Sequence, residues 1–179
     1  MNKKTIKFKS ADIINIRKSL DSEITKAWHT IRQENIMSTQ ERKAGLGSGK
    51  DLKALYNSIL QLTQKRIKIK GILMYLNAGK TEFDFEEFKG TNNYAIFAAC
   101  EAKEAIAQLK MIPTLDPTAK AKKSKSTLGK KETFTSAKIA SLIKSAQLET
   151  NKFDAALEQF NNNTEITITD PSFEIDIAA

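Results

Sequence analysis

LKALYNSILQLTQKRIKIKGILMYL, residues 52–76, carries apolar side chains in alternating steps of three and four positions. This spacing keeps one apolar stripe on the same side of a helix for about seven turns, which is typical of helices that pack as coiled coils. Arg66 alone interrupts the stripe. The stripe consists of Leu52, Leu55, Ile59, Leu62, Ile69, Leu73 and Leu76.

A second helical stripe lies upstream and provides a partner for the first. The segment between them, residues 36–50, is too short for a domain, so the two stripes predict an antiparallel helical hairpin. A register that places Trp28 near Ser58 brings Arg66 within reach of Asp21 or Glu23, and a buried arginine requires such a partner. The second stripe consists of Ile13, Ile16, Leu20, Ile24, Trp28 and Ile31.

The rest of the chain predicts two further helices and several short strands. Thr91 opens a third helix that ends before Pro113, and Thr135 or Ser136 caps a fourth. Alternating polar and apolar residues predict strands at 5–9 and near the C-terminus. The predicted fold class is α+β, predominantly α. The predicted organisation is a hairpin domain at 1–112, a lysine-rich linker at 113–134, and a helix with an acidic strand tail at 135–179.

Composition and charge limit the class of protein. The chain has a formal charge of +8, yet residues 153–179 contain six acidic residues and no lysine or arginine. This asymmetry favours contacts between copies of the chain or between the basic body and a polyanion. The single cysteine excludes an internal disulfide, and no signal peptide or membrane-spanning run is evident. We therefore expect an intracellular protein, cytoplasmic or within a virion.

Residue types that carry out catalysis are scarce. The only histidine is His29, and it has no second ligand or nucleophile beside it in the sequence. Cys100 lies among alanines in the third helix, where it is expected to be a small buried side chain. Neither Lys50 nor Lys80 stands in a complete phosphate-binding loop motif. The sequence thus predicts no catalytic residue, no metal, no cofactor and no small-molecule substrate.

The strongest basic run lies in the linker and has two interpretations. Flexible lysines bind phosphates without reading base sequence, and the same composition also fits a merely solvated linker. Nonspecific nucleic acid is accordingly one predicted partner. The lysines are Lys120, Lys122, Lys123, Lys125, Lys130 and Lys131.

Two apolar and acidic segments are predicted protein-interaction sites. The stretch TEFDFEEF at 81–88 alternates phenylalanine with carboxylates, which predicts a short strand or an extended arm. The tail at 164–179 alternates twice in the same way. The predicted contact residues are Phe83, Phe85, Phe88, Ile166, Ile168, Phe173, Ile175 and Ile177.

These features predict a non-enzymatic structural or scaffolding subunit of a large assembly, such as a virion, a connector or a ribonucleoprotein particle. Its expected partners are other protein subunits, copies of itself included. Two alternatives remain open. One is an accessory protein that grips nucleic acid through the linker lysines, and the other is a small regulator or inhibitor of one protein partner.

Overall fold

The structure, a computed structural model, describes residues 7–37, 41, 43–115 and 132–165. These residues form five helices in chain order, and they contain no strand. The helices are α1 (Ser10–Glu34), α2 (Leu52–Asn77), α3 (Phe85–Lys89), α4 (Asn92–Lys110) and α5 (Ser136–Asn163).

Polar side chains cap the starts of three of the long helices. Asp51 accepts a hydrogen bond from the backbone N–H of Lys53 at the start of α2, at 2.9 Å. The hydroxyls of Thr91 and Thr135 do the same at the starts of α4 and α5. Gly79 follows the end of α2 with a φ of +73°, a conformation that favours glycine. The predicted caps of these three helices are confirmed.

The helices α1 and α2 pack against each other in opposite directions. The rings of Trp28 and Tyr56 lie 5.9 Å apart between centroids, and Asp21 contacts Arg66 towards the other end of the pair. Both contacts lie within about two residues of the predicted register, which pairs Trp28 with Ser58 and brings Arg66 to Asp21.

The remaining helices continue the up-and-down arrangement, and α1, α2, α4 and α5 form a four-helix bundle. Ile67 of α2 clusters with Ala98, whereas Leu52 and Ile59 cluster with Leu109, so α4 runs antiparallel to α2. The Ser136 hydroxyl donates to Thr114 at 3.0 Å, which brings the start of α5 next to the end of α4. As a result α2 and α5 run parallel to each other.

One buried cluster draws on all four long helices and their flanking residues. Phe134 and Ile139 beside and within α5 share this core with residues of α1 and α2. The sequence predicted that 1–112 and 135–179 are separate domains. Whether each of them folds independently stays a prediction. The cluster comprises Ile24, Ala27, Trp28, Ile31, Leu52, Ile59, Leu109, Ile112, Phe134 and Ile139.

The predicted α+β class is wrong for the described part of the chain, and segment 81–88 shows the reason. Asp84 accepts hydrogen bonds from the backbone N–H groups of Glu86 at 2.8 Å and Glu87 at 3.4 Å, so it caps α3. The two glutamates favour the positive start of a helix. The alternation of phenylalanine and carboxylate therefore precedes and begins a helix instead of forming a strand.

None of the other predicted strands is seen among the described residues. Lys7, Phe8 and Lys9, the described end of the predicted N-terminal strand, have no regular secondary structure. The predicted C-terminal strand residues Ile166, Ile168, Phe173, Ile175 and Ile177 lie outside the described residues.

Candidate functional site

The predicted arm residues pack inside the bundle at the end where α3 lies. Phe88 is fully buried, whereas Phe83 and Phe85 are half-buried. Phe88 packs next to Gly71, where an added Cβ would come within 2.7 Å of the ring. Phe88 therefore serves the core. A role in protein contacts stays a prediction for Phe83 and Phe85.

The six linker lysines lie outside the described residues, but the residues that flank them are brought together. The backbone N–H of Leu115 donates to Glu132 at 2.8 Å. Asn35, at the end of α1, bonds to both Pro113 and Phe134. The chain thus leaves and re-enters the bundle at one place, beside the end of α1.

Arg66 is the centre of a buried ion network between α1, α2 and α4. Its guanidinium bonds to Glu101 through two nitrogens, one of them at 3.0 Å. It also reaches Glu104 at 2.9 Å and Asp21 at 3.3 Å. Lys70 approaches the other oxygen of Glu101 at 2.8 Å. The predicted pairing of Arg66 with Asp21 is confirmed, and the sequence did not indicate the two glutamates.

The network stabilises the charged form of the arginine. Burial alone would lower the pKa of Arg66, but its hydrogen bond to Glu101 and the neighbouring carboxylates outweigh burial and raise it. The Arg66 and Glu101 side chains are only 9% and 3% exposed. Removing either one would leave a buried charge poorly compensated, so the pair sets the position of α4 on α2.

A cleft of about 450 Å³ opens between α2 and α5. Its walls are residues 56–67 of α2 and 142–153 of α5, each spanning three turns or about 16 Å. The side chains of Ala98, Ala102 and Ala105 on α4 line its floor, and their small size makes the cleft deep. Because α5 packs along α4 and not along α2, this side of the bundle stays open.

The wall of the cleft is mostly apolar and its rim is acidic. Leu60 is 46% exposed at the rim, and Trp28 contributes its ring from α1. Burial, and then the negative charge of Glu149, raise the pKa of the Tyr56 hydroxyl above its usual value. The phenol therefore faces the cleft as a neutral group up to alkaline pH, near a carboxylate.

The cleft lining offers apolar contact area and few reactive side chains. The described lining of the cleft holds neither histidine nor cysteine, since His29 and Cys100 lie exposed elsewhere on α1 and α4. Ser145 and Thr63 line it without an adjacent base among the described residues. A mostly apolar surface of this volume with a few polar groups is typical of ligand-binding clefts.

Neither metal binding nor membrane insertion gains support from the described part of the chain. No group of three or more histidine, cysteine, aspartate or glutamate residues there is placed to hold a metal ion. None of the described helices is long and apolar enough to cross a bilayer.

Sequence reasoning did not find this cleft. The alanines of α4 predict close packing against the hairpin, but in the structure Ala98, Ala102 and Ala105 line the open cleft. The spacing of Leu142, Ala146 and Phe153 signals an apolar face on α5 without naming the helix it faces.

The chain matches no protein-family model, and no curated protein and no solved structure is significantly similar to it.

Proposed function

We propose that this protein is a non-enzymatic scaffolding subunit that holds a helical segment of another protein in the cleft between α2 and α5. The observation that carries the proposal is the open side of the bundle, where three turns of two parallel helices face each other over an alanine floor. An amphipathic helix binds such a groove through apolar side chains at positions i, i+3, i+4 and i+7.

The depth of the groove and its exposed rim support this mode of binding. The Leu60 side chain is 46% exposed to water. A helix that binds over it would bury this apolar surface, which favours binding. The ring of Trp28 lies at the base of the same cleft. Trp28 is the only tryptophan of the chain, so its fluorescence reports on this site alone.

A titration with a neutral amphipathic peptide tests the proposal. The peptide has about 14 residues, or roughly four turns, with leucine on one face and glutamine elsewhere, and is stapled to remain helical. We expect a saturable change in Trp28 emission. Replacing Leu60 by asparagine should weaken binding about tenfold, because it removes roughly 1.4 kcal/mol of apolar burial.

Leu148 provides the matched control for that substitution. It is 56% exposed on α5 and does not line the cleft. Leu148→Asn should bind the peptide as the wild type does. Equal losses in both variants, or no change in Trp28 emission at any peptide concentration, would contradict the proposed function.

A second proposed function is polyanion binding through the linker lysines. The hydrogen bond between Leu115 and Glu132 supports it, because both ends of the lysine-bearing segment meet at one point of the bundle. Lys110 and Lys138 are exposed at the same end. Several lysines that emerge together would neutralise several phosphates of one nucleic acid.

Salt-dependent binding to nucleic acid tests this second function. Replacing the six linker lysines by glutamine should abolish binding that otherwise falls steeply as salt increases. The control removes as many exposed lysines elsewhere and should retain most of the binding. Equal losses in the two variants would reject the linker as the site. The control lysines are Lys7, Lys9, Lys18, Lys26, Lys65 and Lys152.

A further inference from the structure

The charged residues of the cleft indicate the charge of the ligand that would bind there. One arginine, Arg66, and three glutamates line the cleft, so its formal charge is −2 although the whole chain carries +8. Arg66 and Lys70 both face the buried Glu101. The other two carboxylates lie at the rim: Glu104, which also contacts Arg66 at 2.9 Å, and Glu149.

These two carboxylates are accessible to a ligand. The Glu104 side chain is 45% exposed and shares Arg66 with Glu101. Glu149 is exposed and forms no ion pair with a described residue. It lines the cleft together with Tyr56, and its negative charge contributes to the raised pKa of that hydroxyl. A ligand that lies in the cleft would meet both carboxylates.

We propose that the segment bound in the cleft is a basic amphipathic helix, with leucine-like side chains over the alanine floor and lysine or arginine beside Glu104 and Glu149. This proposal rests on the proposed function of the cleft and specifies the chemistry of the partner. The cleft is negative and attracts cations, whereas the positive net charge of the whole protein repels them. Selection of a basic helix is consequently a property of the cleft and cannot come from the chain as a whole.

Three peptides that differ only in charge separate the two proposals. Each keeps the leucine face of the neutral peptide, and the flanking positions carry lysine, glutamine or glutamate. We expect the lysine peptide to bind about threefold to tenfold more tightly than the glutamine peptide, as expected for two partly exposed ion pairs. The glutamate peptide should bind most weakly. The net charge of the chain alone would produce the opposite order.

A single substitution assigns the preference to the cleft. Glu149→Gln should bring the affinity of the lysine peptide towards that of the glutamine peptide, and it should lower the affinity of the lysine peptide more than it changes that of the glutamine peptide. Glu158→Gln removes an exposed carboxylate from the same helix, outside the cleft, and should change neither affinity. At molar salt, where the Debye length is about 3 Å, the difference in affinity between the lysine and glutamine peptides should become smaller.

The possible results decide between the proposals. Binding of the glutamine peptide without preference for lysine would overturn the basic partner and leave the cleft as a helix-binding site. Absence of binding by all three peptides would overturn both. A dimer in solution whose peptide affinity rises on dilution would also overturn the proposal, because a second copy would then occupy the cleft.

Discussion

The side chain of Asn35 holds the backbone of Phe134 by two hydrogen bonds, one in each direction. Its amide nitrogen donates to the carbonyl oxygen of Phe134 at 2.9 Å, and its oxygen accepts from the N–H of Phe134 at 2.7 Å. The same amide donates to the carbonyl oxygen of Pro113 at 2.9 Å. Asn35 is fully buried, so one residue ties the end of α1 to the end of α4 and the start of α5.

We expect Asn35→Ala to destabilise the bundle. The substitution leaves buried backbone groups of Phe134 without partners, and one such group costs roughly 1–3 kcal/mol. Denaturant unfolding measures the loss as a lower transition midpoint. The matched control is Asn57→Ala on the exposed face of α2, which should cost little. An unchanged midpoint in Asn35→Ala would show that these bonds do not hold the helix ends together.

The Arg66 network predicts a large effect and a partial rescue. Arg66→Leu leaves Glu101 buried with Lys70 as its remaining cation, which should lower the free energy of unfolding by about 3–5 kcal/mol. Adding Glu101→Leu should recover part of that loss, because the uncompensated buried charge is then gone. The exposed neighbour Lys65→Leu serves as control. Greater stability in Arg66→Leu than in the wild type would contradict a structural role for the arginine.

Gly71 is predicted to be needed for its small size. A Cβ at this position would meet the Phe88 ring at 2.7 Å. We expect Gly71→Ala to cost roughly 1–3 kcal/mol through overpacking, although alanine is the better helix former. Adding Phe88→Leu should make the combined loss smaller than the sum of the two single losses.

Gly90 provides the comparison for that substitution. An added Cβ there would lie 3.4 Å from the carbonyl oxygen of Glu87, so Gly90→Ala should have a smaller effect. Thermal unfolding measures both variants. A stabilised Gly71→Ala protein would show that Phe88 moves aside without cost.

The raised pKa of the half-buried Tyr56 predicts a decline of stability at alkaline pH. Its pKa is raised in the folded state, so its contribution to stability is complete below about pH 10, the usual tyrosine pKa, and is lost as the pH rises through the folded value. Tyr56→Phe should remove that part of the decline. The measurement is denaturant unfolding as a function of pH.

A second substitution separates the two causes of the raised pKa. Glu149→Gln removes the negative charge and leaves burial, so the pKa of Tyr56 should fall without returning fully to its usual value. The tyrosinate absorbance that disappears in Tyr56→Phe identifies this residue. Ionisation of Tyr56 at or below pH 10 in the wild type would contradict the described environment.

Local sequence signals were sufficient to predict the long helices, but they did not predict which helix α5 packs against. The three-and-four spacing predicted a helix at α2, and the caps Asp51, Thr91 and Thr135 act within a few residues. The structure confirms the helix and the three caps, although Ile67 and Gly71 are buried in α2 and the predicted Ile69, Leu73 and Leu76 are only half-buried. The strand predicted at 81–88 is wrong because eight residues are too few for periodicity to distinguish a strand from a capped helix start. Asp84 followed by two glutamates was the usable sign of a helix.

The site depends on contacts between residues that are distant in the sequence. Glu101 lies 35 positions from Arg66, and a charge pattern within one helix cannot specify such a pair. The cleft exists because α5 packs on α4 and leaves α2 uncovered along three turns. The amphipathic spacing of α5 shows that one of its faces is apolar. It does not show whether that face packs on α4 or on α2.

Filling the cleft from its floor tests most directly whether it binds a helix. Ala102→Phe places a ring where the bound helix would lie, and Ala107→Phe adds the same ring at an exposed position of α4 outside the cleft. In calorimetric titrations with the lysine peptide, we expect Ala107→Phe to bind as the wild type does and Ala102→Phe to lose binding while remaining folded. Equal affinity of the wild type and a folded Ala102→Phe protein would contradict the cleft as the binding site.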